Sequence, residues 1–385
     1  MPPREKGFRS LPRRVAALAV NRQRWPEIIV GVVLLPYRMV RRLFNRVYVY
    51  GSYYRSVVRR RQDFVEERWS GLQDVSAASR IAVFNHYDRD GVVHDFAAHY
   101  LRQLAEAGFT VIFVSNAPRL SRETVDRLRP SCALILRRAN VGYDFGALKD
   151  GIAQIPSLER VEALLLVNDS VYGPFHPLKD IVSRMDRSAD VWGITDSWQH
   201  QFHLQSFFLL FGRTAVTSPA FAQFWSNVRY VQSKEWIIEK YEIGLTGALV
   251  AGGLSCRALY PYREAAAAFL EAVEGRDLLR DPGRHPAERA FLVKAHAAID
   301  SGAALNSTHY FWDYLIERMG CPFLKRELLR ENPEGIPYVR QWDRVVAAAS
   351  AYDTGLVERH LTSTMCGREI SDPLPAGWPR RPWYE

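Results

Sequence analysis

Two short segments hold side chains with evident chemical capacity. Arg137–Gly146 reads RRANVGYDFG. Gly142 and Gly146 permit tight backbone geometry. Asn140 and Asp144 add short polar side chains, and Arg137 and Arg138 add charge. This composition suits a turn beside the phosphates or sugar of a ligand. It equally suits a strand-to-helix bend that needs only glycine. It matches neither G-x-x-x-x-G-K-[ST] nor G-x-G-x-x-G, which excludes a P-loop and the dinucleotide fingerprint. Leu164–Phe175 reads LLLVNDSVYGPF. A carboxylate at the tip of a buried strand is costly unless it is solvated or paired. Asp169, between Asn168 and Ser170, therefore either caps a turn or binds a cation or a sugar hydroxyl.

Those segments need elements to position them. From residue 80 the pattern is strand, loop, helix, repeated. Apolar or β-branched runs at Arg80–Phe84, Thr110–Val114, Ala133–Leu136 and Ala163–Val167 read as buried strands, and Asp190–Ile194 and Ser206–Phe211 as further ones. Val92–Ala107 has helical spacing and ends at Gly108, a natural C-cap. Fully apolar strands separated by helices predict a Rossmann-type α/β fold, with a mostly parallel sheet covered on both faces. Ligands of such sheets bind outside the C-terminal ends of the strands. The polar residues there are Asn85, His86, Tyr87, Asp88, Ser115, Asn116, Asn168, Asp169 and Ser170. From residue 264 the chain reads as mostly helical, with helices over Glu288–Ile299, Tyr310–Arg330 and Arg340–His360. The expected organisation is an arm over 1–62, an α/β core over 63–263, and a helical region over 264–385.

Read together, these motifs resemble the rhamnan synthesis protein F family. The resemblance is carried by His86-Tyr87-Asp88, Val114-Ser115-Asn116, Arg138-x-Asn140-x-Gly142-Tyr143-Asp144-Phe145-Gly146 and Asn168-Asp169-Ser170. It continues through Trp192-Gly193, His203-Leu204-Gln205-Ser206, Tyr241-Glu242-Ile243-Gly244 and Pro322-Phe323-Leu324-Lys325, and spans residues 80–335. It implies a GT-A-like transferase that moves a sugar from a nucleotide diphosphate onto cell-surface polysaccharide. In those terms Asn85–Asp88 hold the nucleobase, Ser115 and Asn116 meet base or ribose, and Asn140-Val141-Gly142 approach the nucleotide. Arg138, Asp144, Asn168, Asp169, Ser170 and His203 complete the implied donor site. The family pattern places an Asp-x-Asp metal site at the fourth strand's tip. This chain has Asn168-Asp169-Ser170, with one carboxylate. Mg²⁺ or Mn²⁺ then rests on Asp169 plus the substrate phosphates, or Arg137, Arg138 or another base neutralises the leaving diphosphate.

Inverting transfer needs a general base for the acceptor hydroxyl. The candidates are Glu242, at the start of YEIGLTGALVAGG, and Asp196, after VWGIT. The plain alternatives are a helix N-terminal carboxylate and a strand-end cap. His203 orients the acceptor or is structural, and His309 reaches the diphosphate or starts a helix. Trp192, Trp198, Phe202 and Trp225 offer faces to a sugar ring or fill the core. The expected donor is dTDP- or GDP-rhamnose, and the acceptor a glycan or lipid-linked glycan. The alternatives are another donor sugar on the same fold, or a non-catalytic scaffold subunit of a polysaccharide-assembly complex.

Charge says where such a protein works. The chain has 385 residues and a formal charge of +9. Residues 1–62 hold 15 Lys/Arg and two acids, while the remainder holds 36 bases and 40 acids. A very basic arm thus precedes a slightly acidic body. The apolar run Ile28–Leu35 is too short to span a bilayer, which takes about 20 apolar residues, and no A-x-A-like cleavage site follows it. Arg22, Arg24, Arg38, Arg41, Arg42 and Arg46 flank it, and Trp25, Tyr37, Phe44, Tyr48 and Tyr50 are suited to headgroup depth. The arm is therefore expected to lie on an anionic membrane surface, at the inner face of the cytoplasmic membrane, beside other assembly enzymes. Nucleic acid is not expected as a partner, since no recognition module accompanies the charge. Cys132, Cys256, Cys321 and Cys366 form no C-x-x-C pair, which argues against a zinc ribbon and for a reducing compartment.

Overall fold

The computed structural model describes residues 35–58 and 63–385. Contacts divide the chain between Val57 and Val58. The N-terminal part contributes a helix, Leu35–Val58, on which Val47, Tyr48, Tyr50, Tyr54, Val57 and Val58 are exposed. Arg22, Arg24, Trp25 and all of the Ile28–Leu35 run except Leu35 lie outside the described residues.

The body is α/β, as expected. Its strands are β1 (Val65–Ser70), β2 (Arg80–His86), β3 (Thr110–Ser115), β4 (Leu134–Arg138), β5 (Ala163–Asn168), β6 (Val171–Tyr172), β7 (Val191–Ser197), β8 (His203–Leu204), β9 (Phe208–Gly212), β10 (Cys256–Tyr260) and β11 (Leu324–Lys325). Nine of them form one sheet in the order β1-β4-β3-β2-β5-β9-β7-β10, with β8 beside β7, while β6 and β11 pair separately.

Alternation along the central strands builds two cores on opposite faces of the sheet. Ala82, Phe84 and Phe113 pack into one core with Phe96, Tyr100 and Leu101 of helix Asp95–Glu106. Ile81, Val83, Ile112 and Val114 pack into the other with Phe145, Leu148 and Ile152 of helix Tyr143–Ile152. Strands buried on both faces must be apolar throughout, which is why β2, β3 and β5 were legible as uninterrupted runs. Strands β4, β3, β2 and β5 are parallel. β9 runs antiparallel to both β5 and β7. The segment between β7 and β9 is too short for the helical crossover that a parallel neighbour requires.

The C-terminal helices differ from expectation. The helix expected over Tyr310–Arg330 is instead helices Ser307–Tyr310 and Trp312–Glu317, strand β11, and helix Arg326–Arg330. Gly320 has φ 74°, and Pro322 cannot donate to a helix, so the helix stops and the chain returns as a strand. The helix expected over Arg340–His360 is two, Trp342–Ala349 and Gly355–Met365. The expected helix over Glu288–Ile299 is present as Pro286–Asp300.

Candidate active site

The chain leaves β2 toward β3 and β4 on one side and places β5 on the other. The sheet order therefore reverses between β2 and β5, where Asn85 is in register with Asn168. Open α/β sheets bind ligands at such a point, beyond the C-terminal strand ends. A cleft of about 720 Å³ lies there, within the usual range of small-molecule sites. Its walls include Asn85, Tyr87 and Asn116 from the ends of β2 and β3. Asn140, Tyr143 and Asp144 come from the turn after β4, and Asn168, Asp169 and Ser170 from the end of β5. Gln199, His200 and His203 follow β7, and Glu242, Asn306, His309 and Lys325 come from later in the chain.

Several expected site residues lie beneath or beside this surface instead. His86 is fully buried, with Nδ1 at 3.0 Å from Ser115 Oγ and Nε2 at 3.2 Å from the Val92 carbonyl. The Ser115 hydroxyl also accepts from the Ala117 amide. Asp88 accepts from the amides of Asp90 and Val92 at 2.8 and 2.9 Å, and so shapes its own loop. Arg138 is fully buried and paired with Asp150 at 2.6 Å. It also donates to Asn116 Oδ1 at 2.6 Å and to the Val141 carbonyl at 2.8 Å. It thereby fixes a wall residue and the following turn. Arg137 pairs with Glu66 and Glu67 at the sheet edge. Neither arginine lines the cleft.

Glycine is required in the turn after β4. Gly142 has φ 80°, and a Cβ there would come 2.9 Å from the Tyr230 backbone. Its amide donates to Gln232 Oε1 at 3.0 Å. A Cβ on Gly146 would come 2.6 Å from the Val141 carbonyl. Packing thus accounts for both glycines, while Asn140 and Asp144 remain at the cleft.

The two base candidates are placed differently. Asp196 is buried off the cleft, and its carboxylate accepts from the Trp198 indole at 2.9 Å and the Tyr262 amide at 2.6 Å. Glu242 lines the cleft at the end of a π-helical turn, Ile237–Glu242, that leads into helix Ile243–Ala251. Single π turns recur at functional sites. The Ser206 amide donates to Glu242 Oε1 at 3.3 Å. His203 Nδ1 lies 2.9 Å from the Gln201 carbonyl, to which it donates. Trp192 and Trp225 are buried in the core. Trp198 and Phe202 pack on each other with ring centres 5.1 Å apart.

Charge in the cleft is mixed. Burial, with the Glu242 carboxylate adding to it, pushes Asp144 up to about 6. Burial pushes Lys325 down from the usual lysine range, against the opposing pull of Glu242, Glu327 and Asp144. His309 is pushed down to about 4 by burial and then by Lys325, so its imidazole is neutral at pH 7. Asp169, the one carboxylate of its triplet, is 3.0 Å from Arg326 Nη1, which also donates to the Asp169 carbonyl at 2.6 Å. Among the described residues no group of three His, Cys, Asp or Glu side chains could hold a metal ion. Mg²⁺ and Mn²⁺ take near-octahedral oxygen shells. A single carboxylate already matched by a guanidinium does not fit that demand. The sequence motifs gave Lys325 no role and did not include Arg326. The one local signal was Pro322, which makes a strand rather than a helix of the residues after it.

Comparison with known proteins identifies the family. Residues 111–272 match the model of rhamnan synthesis protein F. The chain is 30% identical over 263 residues to virulence protein VirA of Vibrio anguillarum, covering 67% of this chain and 82% of that one. Among solved structures, S. aureus TarS 1–349 in complex with UDP is 11% identical, with TM-score 0.30, over 60% of this chain and 74% of that one. The glycosyltransferase GlyE of Streptococcus pneumoniae TIGR4 is 9% identical, with TM-score 0.32, over 77% of this chain and 67% of that one. Superpositions this partial add nothing to the strand order already described. The length and identity of the VirA match, with the family model lying over β3 to β10, mean that the chain belongs to the rhamnan synthesis protein F family.

Proposed function

We propose that the protein is a GT-A-type inverting glycosyltransferase. It moves a sugar, rhamnose by the family's name, from a nucleoside diphosphate onto a glycan or lipid-linked acceptor. The observation that carries the reading is the polar cleft at the β2/β5 switch point, lined by Asn85, Tyr87, Asn116, Asn140 and Asn168–Ser170 on one side and Glu242 on another. Amide, hydroxyl and phenol groups suit a base, a ribose and sugar hydroxyls. In the reaction the acceptor hydroxyl forms a bond to the anomeric carbon while the bond from that carbon to the diphosphate oxygen breaks. The electron pair leaves on the nucleoside diphosphate, and the hydroxyl proton passes to the Glu242 carboxylate.

The helix Leu35–Val58 supports work at a membrane surface. It carries exposed Tyr48, Tyr50 and Tyr54 within a segment of strongly basic composition. No helix among the described residues is long and apolar enough to cross a membrane. A protein held at an anionic inner leaflet would meet a lipid-linked acceptor, and the other assembly enzymes, in two dimensions.

A screen of UDP-, dTDP- and GDP-sugars for hydrolysis and transfer tests the activity. Turnover of at least one donor is expected, and turnover of none would leave the scaffold role. Glu242→Gln should remain folded and lose about 10²–10⁴-fold in transfer, the worth of a general base. Unchanged transfer in Glu242→Gln, with loss in His203→Ala, would move the base to His203.

A further inference from the structure

Building on the transferase reading, we infer that Lys325 receives the donor's diphosphate directly, and that Arg326 occupies Asp169 in the place a divalent metal would take. The placement comes from backbone pairing. β11 lies antiparallel to β6, with Lys325 opposite Val171 and Leu324 opposite Tyr172. The Arg326 amide donates to the Ser170 carbonyl at 3.0 Å. Register therefore delivers two consecutive cations, from more than 150 residues later, to the tip carrying Asn168-Asp169-Ser170.

The two cations are not equivalent. Arg326 is held through both terminal nitrogens of its guanidinium. Nη1 grips both the carboxylate and the carbonyl of Asp169. Its guanidinium lies 5.2 Å from the centre of the Phe96 ring. Nη2 lies 3.3 Å from His360 Nε2. A guanidinium only donates, so His360 Nε2 accepts, and Nδ1–H points to the Tyr172 hydroxyl 2.8 Å away. Burial and the charge of Arg326 keep His360 neutral, well below the ordinary histidine range. A metal at Asp169 would have to displace a nearly buried guanidinium and leave it without its counterion, which is expensive. Arg326 is thus a positioning residue. It neutralises Asp169 and does not line the cleft.

Lys325 does line the cleft. Among the described residues its ammonium has no hydrogen-bond or ion-pair partner. It sits 4.2 Å from the centre of the Phe207 ring, and Glu242, Glu327 and Asp144 act on it only through space. A desolvated ammonium with open donors facing a cavity is completed by an anion. Beside Asn168–Ser170 the matching group is the diphosphate, whose charge grows as the bond to the sugar breaks.

Calorimetric titration of the full chain with UDP, GDP and dTDP and with the matching monophosphates, in EDTA and in excess Mg²⁺ or Mn²⁺, tests this. At least one diphosphate should bind with a Kd that EDTA changes by less than about twofold. Lys325→Met should weaken that diphosphate by about tenfold and the monophosphate far less, as expected for loss of a charged hydrogen bond. Arg326→Ala frees the Asp169 carboxylate, and its diphosphate binding should become responsive to Mn²⁺. Thermal melting reports whether that variant folds, and the Lys325→Met comparison stands if it does not. Diphosphate binding only in the presence of metal would overturn the inference and leave a metal-dependent transferase. Equal losses for diphosphate and monophosphate in Lys325→Met, or no loss, would remove Lys325 from the diphosphate. Binding of no nucleotide under any condition would overturn the transferase reading, and the inference with it.

Discussion

Asp144 shows how one residue can carry both a positional and an electrostatic role. It sits at the start of helix Tyr143–Ile152, a favourable place for a carboxylate, yet burial and Glu242 raise its pKa to about 6. Lys325 acts in the opposite sense and only partly offsets this. Between the ordinary carboxylate value and about 6 the folded chain keeps a proton that the unfolded chain has released. Stability contributed by this group is therefore present at low pH and lost as pH rises through that window. Urea midpoints of the wild type and Asp144→Asn across pH 4 to about 7 measure it. The advantage of the wild type over Asp144→Asn should fall by about 2–3 kcal/mol over the window and level off above it. A difference that is flat with pH would mean the carboxyl titrates normally.

At the scale of elements, the turn from β4 into its helix sets one wall of the cleft. Gly142 takes a left-handed φ and abuts Tyr230 backbone, which cannot step aside. Gly142→Ala should cost about 1–3 kcal/mol of stability and weaken nucleotide binding by moving Asn140 and Asp144. Gly275→Ala is the control. It ends a helix with open space around it and should be neutral or slightly stabilising. Equal effects of the two substitutions would refute the steric account.

The same scale explains what the sequence could and could not reveal. β2, β3 and β5 are apolar on both faces and bounded by polar loops, so their ends, and with them Asn85, Asn116 and Asn168, were legible. β1 reads VEERWS and is half solvated at an edge, so it lacks a buried strand's composition. β10 is likewise partly exposed. β11 is two residues long and exists through pairing with β6, which no local pattern encodes. For that reason Lys325, though part of the Pro322–Lys325 motif, was given no role, and Arg326 was missed. His86, Ser115 and Arg138 carry site-like chemistry, but burial forces each to find protein partners. Only packing reveals that those partners lie under the cleft.

The whole molecule joins a strongly basic N-terminal segment to a body of slightly negative formal charge, and the total of +9 describes neither. Each basic residue near an anionic leaflet contributes roughly 1 kcal/mol, and a single weak attraction is multiplied across the segment. Aromatic side chains on helix Leu35–Val58 add an apolar contribution that salt does not screen. The body offers no comparable excess of positive charge. The full chain should therefore sediment with vesicles of phosphatidylserine and phosphatidylcholine, and that binding should fall, without vanishing, as salt rises past the range where the Debye length is about 10 Å. Deletion of residues 1–62 should abolish sedimentation while leaving transfer to a soluble acceptor unchanged, because the cleft is built entirely from residues of the body. Persistent sedimentation of the truncated protein would place the membrane contact on the body. Loss of soluble-acceptor transfer would mean that the basic segment serves the chemistry itself.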